Sequence, residues 1–412
     1  MPTSINSGDT AWMLVSTALV LLMTPGLAFF YAGMVRAKNA VSTMFQNYMA
    51  MCVVAIIWAV VGYSLVFSGD VGGFIGNLDW VLLNGIGIEP NADLAATIPH
   101  ILFVMFQGTF AIITPALITG SFAERIRFKG WLPFMALWSI LVYSPVAHWV
   151  WGPKGWIREL GGLDFAGGLV VHMTAGYSAL VAALVLGKRQ GFGEEPAKSY
   201  NVGLILLGTA LLWFGWFGFN AGSSLGANGI AAQALATTLL AGASSMLSWT
   251  FFDWFKAGKP SATGAGIGAV AGLVAITPAA GFVSIGAALT IGMITGLACN
   301  YLVAVVKEKF GLDDTLDVFA CHGAGGTIGT ILTAVYASTS VNSAGTNGLL
   351  YGDSKLLVAN SLGALAVVAY SMIMTFALIK GLQFVTSLRV SALEEEHGLD
   401  HSQHGERILS LS

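Results

Sequence analysis

The chain has 412 residues, of which 56% are hydrophobic and 9% charged, with a formal net charge of -3 and a mean hydropathy of +0.76. Soluble domains carry about 25% charged residues, so this composition cannot build a water-facing surface and lipid has to solvate most of the chain. The slightly acidic balance also excludes a nucleic-acid partner, which would require a basic stripe.

The first ten residues place no Lys or Arg ahead of the first apolar run, so that run is expected to be retained as a span and not removed as a signal peptide. A spanning helix takes about 20 apolar residues, and about eleven such segments follow one another. They are expected near 11–34, 44–67, 97–121, 131–150, 167–187, 201–220, 231–254, 263–278, 281–305, 318–337 and 356–387, the eighth being short and Gly-rich. Loops taken alternately segregate the cations. Arg36, Lys38, Arg125, Arg127, Lys129, Lys188, Arg189, Lys198, Lys256, Lys259, Lys307 and Lys309 fall on one face, with Lys380, Arg389 and Arg407 beside them. The opposite face keeps Lys154, Arg158 and Lys355. By the positive-inside rule the N-terminus is expected outside and the C-terminus in the cytoplasm.

An odd number of spans fits two inverted five-helix repeats plus a final helix. Gly26-Leu27-Ala28-Phe29-Phe30-Tyr31-Ala32-Gly33 in span 1 resembles Gly215-Trp216-Phe217-Gly218-Phe219-Asn220-Ala221-Gly222 in span 6. Asp164 precedes His172 by the same spacing as Asp314 precedes His322. Inverted repeats place a site at their interface, near the bilayer midplane. Most of the 52 glycines are expected to be packing residues that let helices approach in lipid. Cys52, Cys299 and Cys321 lack metal-ligand spacing and read as small buried hydrophobes.

Histidine carries the chemistry. His397, His401 and His404 belong to the tail, and His100 and His148 fall at outer membrane edges, which leaves His172 and His322 inside spans. Eight residues at 1.5 Å rise put each about 12 Å beyond its aspartate, so spans entering from opposite faces bring the two imidazoles toward each other. An ionisable group at that depth marks a pathway, and a pair sharing one proton offers a donor and an acceptor to a small polar solute. Asp164 and Asp314 stand where helix caps are expected. Trp151 ends span 4 on the outer side, where span 6 delivers Trp216, Phe219 and Ser223; Phe106 and Phe110 share a face of span 3. Aromatic faces and a hydroxyl oxygen suit a partly dehydrated cation. The span interiors hold no ring of carboxylates, which argues against a metal-cation conductor. No metal motif, nucleotide loop or nucleophile–base pair appears, so neither an enzyme nor a cofactor is expected.

These motifs, together with Ala123-Glu124-Arg125-Ile126-Arg127-Phe128, Asp164-Phe165-Ala166-Gly167-Gly168 and Asp317-Val318-Phe319, resemble those of the ammonium transporter family (Amt/Mep/Rh) along essentially the whole chain. The resemblance implies an eleven-helix protomer with its own pore, assembled as a homotrimer in the cell (inner) membrane. It implies an ammonium-recruitment site at Trp151, Phe110 and Ser223 and a gate at Phe110 and Phe219. The pore would hold His172 and His322, with Trp216 and Tyr143 as further aromatics, and Phe106, by its spacing from Phe110, is expected to line the pore as well. Asp164 matches the family's acidic residue, structural or involved in deprotonation. Ammonium would be recognised outside and deprotonated near the Phe pair, and ammonia would pass the histidines, with or without net proton co-transport. Retention of Trp151 and Ser223 fits the ammonium transporters better than the Rhesus branch, and Ala280 stands where many relatives carry Cys. Residues 1–388 would form the transmembrane domain and 389–412 a cytoplasmic tail, on the face where PII-type signalling proteins block such transporters. The alternative is an ammonium sensor of the same fold.

Overall fold

The computed structural model describes residues 4–194 and 199–408. Lys198, counted above among the cations of one face, lies outside the described residues, as do the first three residues and the last four of the tail.

In lipid each backbone amide has to be satisfied within its own segment, so apolar runs of this length become helices. Eleven long helical segments are present among the described residues. They are α1 (Ser7–Met34), α2 (Ala37–Phe67), α3 (His100–Ser121), α4 (128–151), α5 (Gly168–Leu186) and α6 (Val202–Ser224). The remaining five are α7 (Gly229–Ala257), α8 (Ala262–Ile276), α9 (Ile285–Lys309), α10 (319–336) and α11 (Lys355–Val385). Among the described residues, nine helices are long and apolar enough to cross a membrane. Of the other two, α8 is short, and most of it is buried by its neighbours, so it need not match the lipid by itself.

Polar side chains set the starts. Asn6, Asn201, Asn228, Ser261 and Ser284 each accept a hydrogen bond from an amide three residues on, opening α1, α6, α7, α8 and α9. The long connection from α2 to α3 carries the only strand pair among the described residues, β1 (Asp70–Val71) and β2 (Ile75–Gly76), antiparallel.

Packing follows the two related halves. α1 lies along α6, α7 packs against both α8 and α9, and α5 crosses α10. Small residues permit these approaches. A methyl group on Gly208 of α6 would strike the backbone of Phe30 in α1, and one on Gly176 of α5 would strike the backbone of Gly323 in α10. Cys299 and Cys321 are buried as expected. Cys52 is exposed on the helix bundle, because on a lipid-facing surface the apolar surroundings come from the lipid and burial is not required.

On the face of the basic loops the chain after α11 docks back onto the bundle. Arg127 N donates to Leu388 O at 2.7 Å and Val390 N to Arg125 O at 3.1 Å. Two short helices follow, α12 (Ala392–His397) and α13 (Leu399–His404). Arg389 donates to the carbonyls of Leu186 and Lys188 that end α5, and the Asp400 carboxylate accepts from Val41 N and Ser42 N at the start of α2.

Candidate functional site

Two cavities adjoin across the Phe110–Phe219 contact. The first is an open vestibule of about 420 Å³, lined among others by Phe103, Gln107, Phe110, Trp151, Asp164 and Ser223. The second is an interior chamber with about 20 Å³ open to a water-sized molecule, lined by His172, His322, Trp216, Phe219, Tyr31 and apolar side chains of α1, α3 and α8. One water needs about 10–15 Å³, so the chamber has room for a molecule of about that size.

The vestibule floor is aromatic. Phe110 and Phe219 are each 1% exposed, with ring centroids 4.3 Å apart and planes tilted by 37°, and they separate vestibule from chamber. Trp151 meets Phe110 edge to face at 5.7 Å, and its indole N–H donates to the Asp164 carbonyl at 3.0 Å, which fixes the ring at the mouth. Ser223 spends its proton on the Phe219 carbonyl at 2.8 Å. Its oxygen therefore keeps lone pairs that only a donor from the vestibule side can use.

Asp164 anchors this wall. Its Oδ1 accepts from the amides of Gly167 and Gly168 at 2.8 and 2.6 Å, and its Oδ2 from those of Leu169 and Val170 at 2.8 and 3.2 Å. All four donors are the otherwise unpaired amides of the α5 start. Burial pushes the Asp164 carboxyl above its ordinary range, and the four amides pull it back only in part. Asp314 is not equivalent. Its Oδ2 accepts from Phe319 N at 2.7 Å, its Oδ1 is buried without a partner, and burial beside Asp317 pushes its carboxyl up to about 6.

Below the Phe pair the two imidazoles meet. His172 Nδ1 and His322 Nδ1 are 3.2 Å apart, and each ring sits in a wide π-helical turn, Gly168–Met173 and Phe319–Ala324, at the start of its helix. Such turns recur at functional sites, and here the same distortion occurs at the same place in both halves. The His172 ring lies nearly parallel to Trp216 and Phe219, with centroids 5.5 and 6.0 Å away.

Most residues singled out in the sequence converge here: Trp151, Phe110, Ser223, Phe219, Trp216, His172, His322 and Asp164. Phe106 and Tyr143 line neither cavity. Phe106 stands behind Phe110 against Gly222, and Tyr143 packs against Trp58. Fourfold spacing puts Phe106 on the face of Phe110, but its ring ends at Gly222 of α6, where Ser16 of α1 also packs. His100 opens α3 and His148 lies near the end of α4, and both are buried. His100 pairs with the Tyr63 hydroxyl, and His148 bridges Val66 O and Asp70 at 2.7 and 3.0 Å, holding the hairpin to α4. Thr277, just past α8, escaped the sequence reading although its hydroxyl touches both Trp216 and His172. A threonine in an apolar run carries no signal of its own.

Comparison with known proteins gives one answer. A family model described as the Ammonium Transporter Family matches residues 11–408. An ammonium transporter of Bacillus subtilis is 49% identical over 97% of this chain and 98% of its own length. Ammonium transporter Amt1 of Archaeoglobus fulgidus is 44% identical over 98% and 99%. Among solved structures, Mep2 of Saccharomyces cerevisiae superposes with a TM-score of 0.88 at 37% identity, covering 94% of this chain and 88% of that one. A sensor Amt protein does so with 0.88 at 29% identity, covering 96% and 98%.

Proposed function

We propose, from the premise that this chain belongs to the ammonium transporter family, that it moves ammonium nitrogen across a membrane through the chamber that holds His172 and His322. The observation that carries the reading is the order of environments: an aromatic mouth with a free hydroxyl acceptor, a closed Phe pair, then a histidine pair in a small apolar chamber.

Each step has a physical reason. Trp151 and Phe110 present ring faces and edges at the mouth, and Ser223 offers lone pairs, so ammonium ion is held by cation–π attraction and one accepted hydrogen bond. Beyond the Phe pair the walls are apolar, and an ion there loses its water without replacement. Neutral ammonia bears that loss far better than hydrated sodium or potassium. The proton is therefore given up near the Phe pair, to water of the open vestibule or, with proton co-transport, to the imidazoles, and ammonia passes the histidines. Proton co-transport along the imidazoles, which touch through their Nδ1 atoms, is part of the same reading.

The cation-rich face that carries the docked tail is the cytoplasmic one, so the vestibule opens outside, and the membrane is the cell (inner) membrane. The homotrimer, the PII-type partner on the tail face and the division at 388/389 follow from the family resemblance. Likeness to a sensor Amt protein supports the second reading, ammonium sensing on the same fold. Uptake by reconstituted proteoliposomes separates the two. Ammonium-dependent alkalinisation or charge movement with the chain present supports transport, and empty-liposome rates with bound ammonium support sensing. In the same assay Trp151→Leu should raise the half-saturating ammonium concentration by about three- to thirtyfold, the worth of one cation–π contact.

A further inference from the structure

Thr277 follows the last turn of α8 and is completely buried, and its hydroxyl has three neighbours. Leu273 O lies at 2.8 Å, Trp216 Nε1 at 2.9 Å and His172 Nε2 at 3.4 Å. A hydroxyl has one proton and two lone pairs. The carbonyl only accepts and is the closest of the three, so it takes the proton. The indole N–H only donates, and it takes one lone pair. His172 Nε2 meets the other, and so has to carry a hydrogen.

A neutral imidazole bears one N–H. With Nε2 protonated, His172 Nδ1 is bare, and His322 Nδ1, 3.2 Å away, must be the donor between the rings. His322 Nε2 then keeps a lone pair. It has no hydrogen-bond partner among the described residues, and its ring lines the chamber.

We propose that Thr277 is a positioning residue that fixes the tautomers of the histidine pair, His172 as Nε2–H and His322 as Nδ1–H, so that His322 Nε2 is the one acceptor offered to an N–H of ammonia in the chamber. The proposal rests on the pore reading above. It gives the pair a polarity. A proton arriving from the vestibule finds no free lone pair on His172, because that of Nδ1 accepts from His322 and Nε2 already carries hydrogen. Inward relay therefore starts only after the pair has reversed its tautomers, and Thr277 holds the resting pair against that reversal.

The test is the ¹⁵N spectrum of histidine-labelled protein in liposomes, with the two rings assigned through their sequence neighbours. Protonated and bare ring nitrogens resonate far apart, so each tautomer is read directly. The expected result is Nε2–H on His172 and Nδ1–H on His322 in the wild type and in Thr277→Ser. In Thr277→Val the single pair of tautomers should be lost to a mixture. The reverse assignment in the wild type overturns the proposal, and so does an unchanged pair in Thr277→Val. Should that variant not fold, the wild-type spectrum decides alone. Transport by His172→Ala/His322→Ala is measured beside it. Undiminished transport there removes the pore reading and leaves the tautomer assignment standing, whereas reversed tautomers with transport abolished in the double variant remove only the role of Thr277.

Discussion

At Asp164 one carboxylate satisfies four backbone amides at the start of α5, and that geometry explains the acidic residue without assigning it any chemistry. An amide in its place keeps one oxygen and turns an NH₂ toward two N–H donors. Each buried donor left unpaired costs about 1–3 kcal/mol, so Asp164→Asn should lose about 2–6 kcal/mol, read as a lower midpoint of thermal unfolding in detergent. Ser223→Ala removes one acceptor at the mouth and leaves the Phe pair in place. A hydrogen bond to a charged group is worth about 1.5–3 kcal/mol, so the half-saturating ammonium concentration should rise about tenfold or more with little change in maximal rate. Much at this scale was legible. The Asp-to-His spacing placed both imidazoles, because their helices start at those aspartates and enter from opposite sides. Thr277 was not legible, since its importance lies in which groups its oxygen meets and no pattern of residue types encodes that. The orphaned Oδ1 of Asp314 was hidden for the same reason: the spacing repeats, the hydrogen bonding does not.

Helices meet here through glycine. Gly176 of α5 faces the backbone of Gly323, the residue after His322, so the distance between the histidines is set by a contact with no side chain in it. Gly176→Ala should push α5 and α10 apart and widen the Nδ1–Nδ1 contact. Overpacking of this kind costs about 1–3 kcal/mol, and the expected outcome is folded protein of reduced thermal stability with transport lost. Transport at wild-type rate in that variant would contradict the role given to the crossing. The sequence announced the helices through their apolar length, least clearly for the interior α8, which is short and Gly-rich. It did not announce the π-helical turns under both histidines, which depend on packing after each helix has started. The hairpin β1–β2 was likewise silent, being short and held by the buried His148.

Across the whole molecule the two halves are locked together on the tail side by buried ions. Glu124 accepts from Arg36 and Arg189, Arg189 reaches Asp313, and Arg125 donates to Thr315 and the Asp313 carbonyl. Burial alone would raise the Glu124 and Asp313 carboxyls, but the guanidiniums outweigh it and hold both below their ordinary values. Depressed carboxyls contribute stability that is present above the unfolded value of about 4 and lost as pH falls through the folded values. Asp314 in the same segment, raised to about 6, works the other way, so hydrogen-exchange protection of residues 310–318 should rise as pH falls from 7 to about 5 and fall below about 4. The tail is tied to this cluster through Arg389, which spans two carbonyls and Glu395. Arg389→Ala should raise exchange in residues 391–408 and leave the spans unchanged. The sequence conveyed the topology at this scale through its charge asymmetry, but not the docking, which is made largely of backbone carbonyls.

The central claim is that ammonium nitrogen crosses through the chamber of the paired histidines. The most direct measurement is the transient current and internal pH of proteoliposomes after an ammonium jump, for the wild type and for His172→Ala/His322→Ala. The reading expects a wild-type current or internal alkalinisation that the double variant loses, or that gives way there to potassium conduction. Signals equal to empty liposomes in both proteins, or an unaltered signal in the double variant, would contradict it.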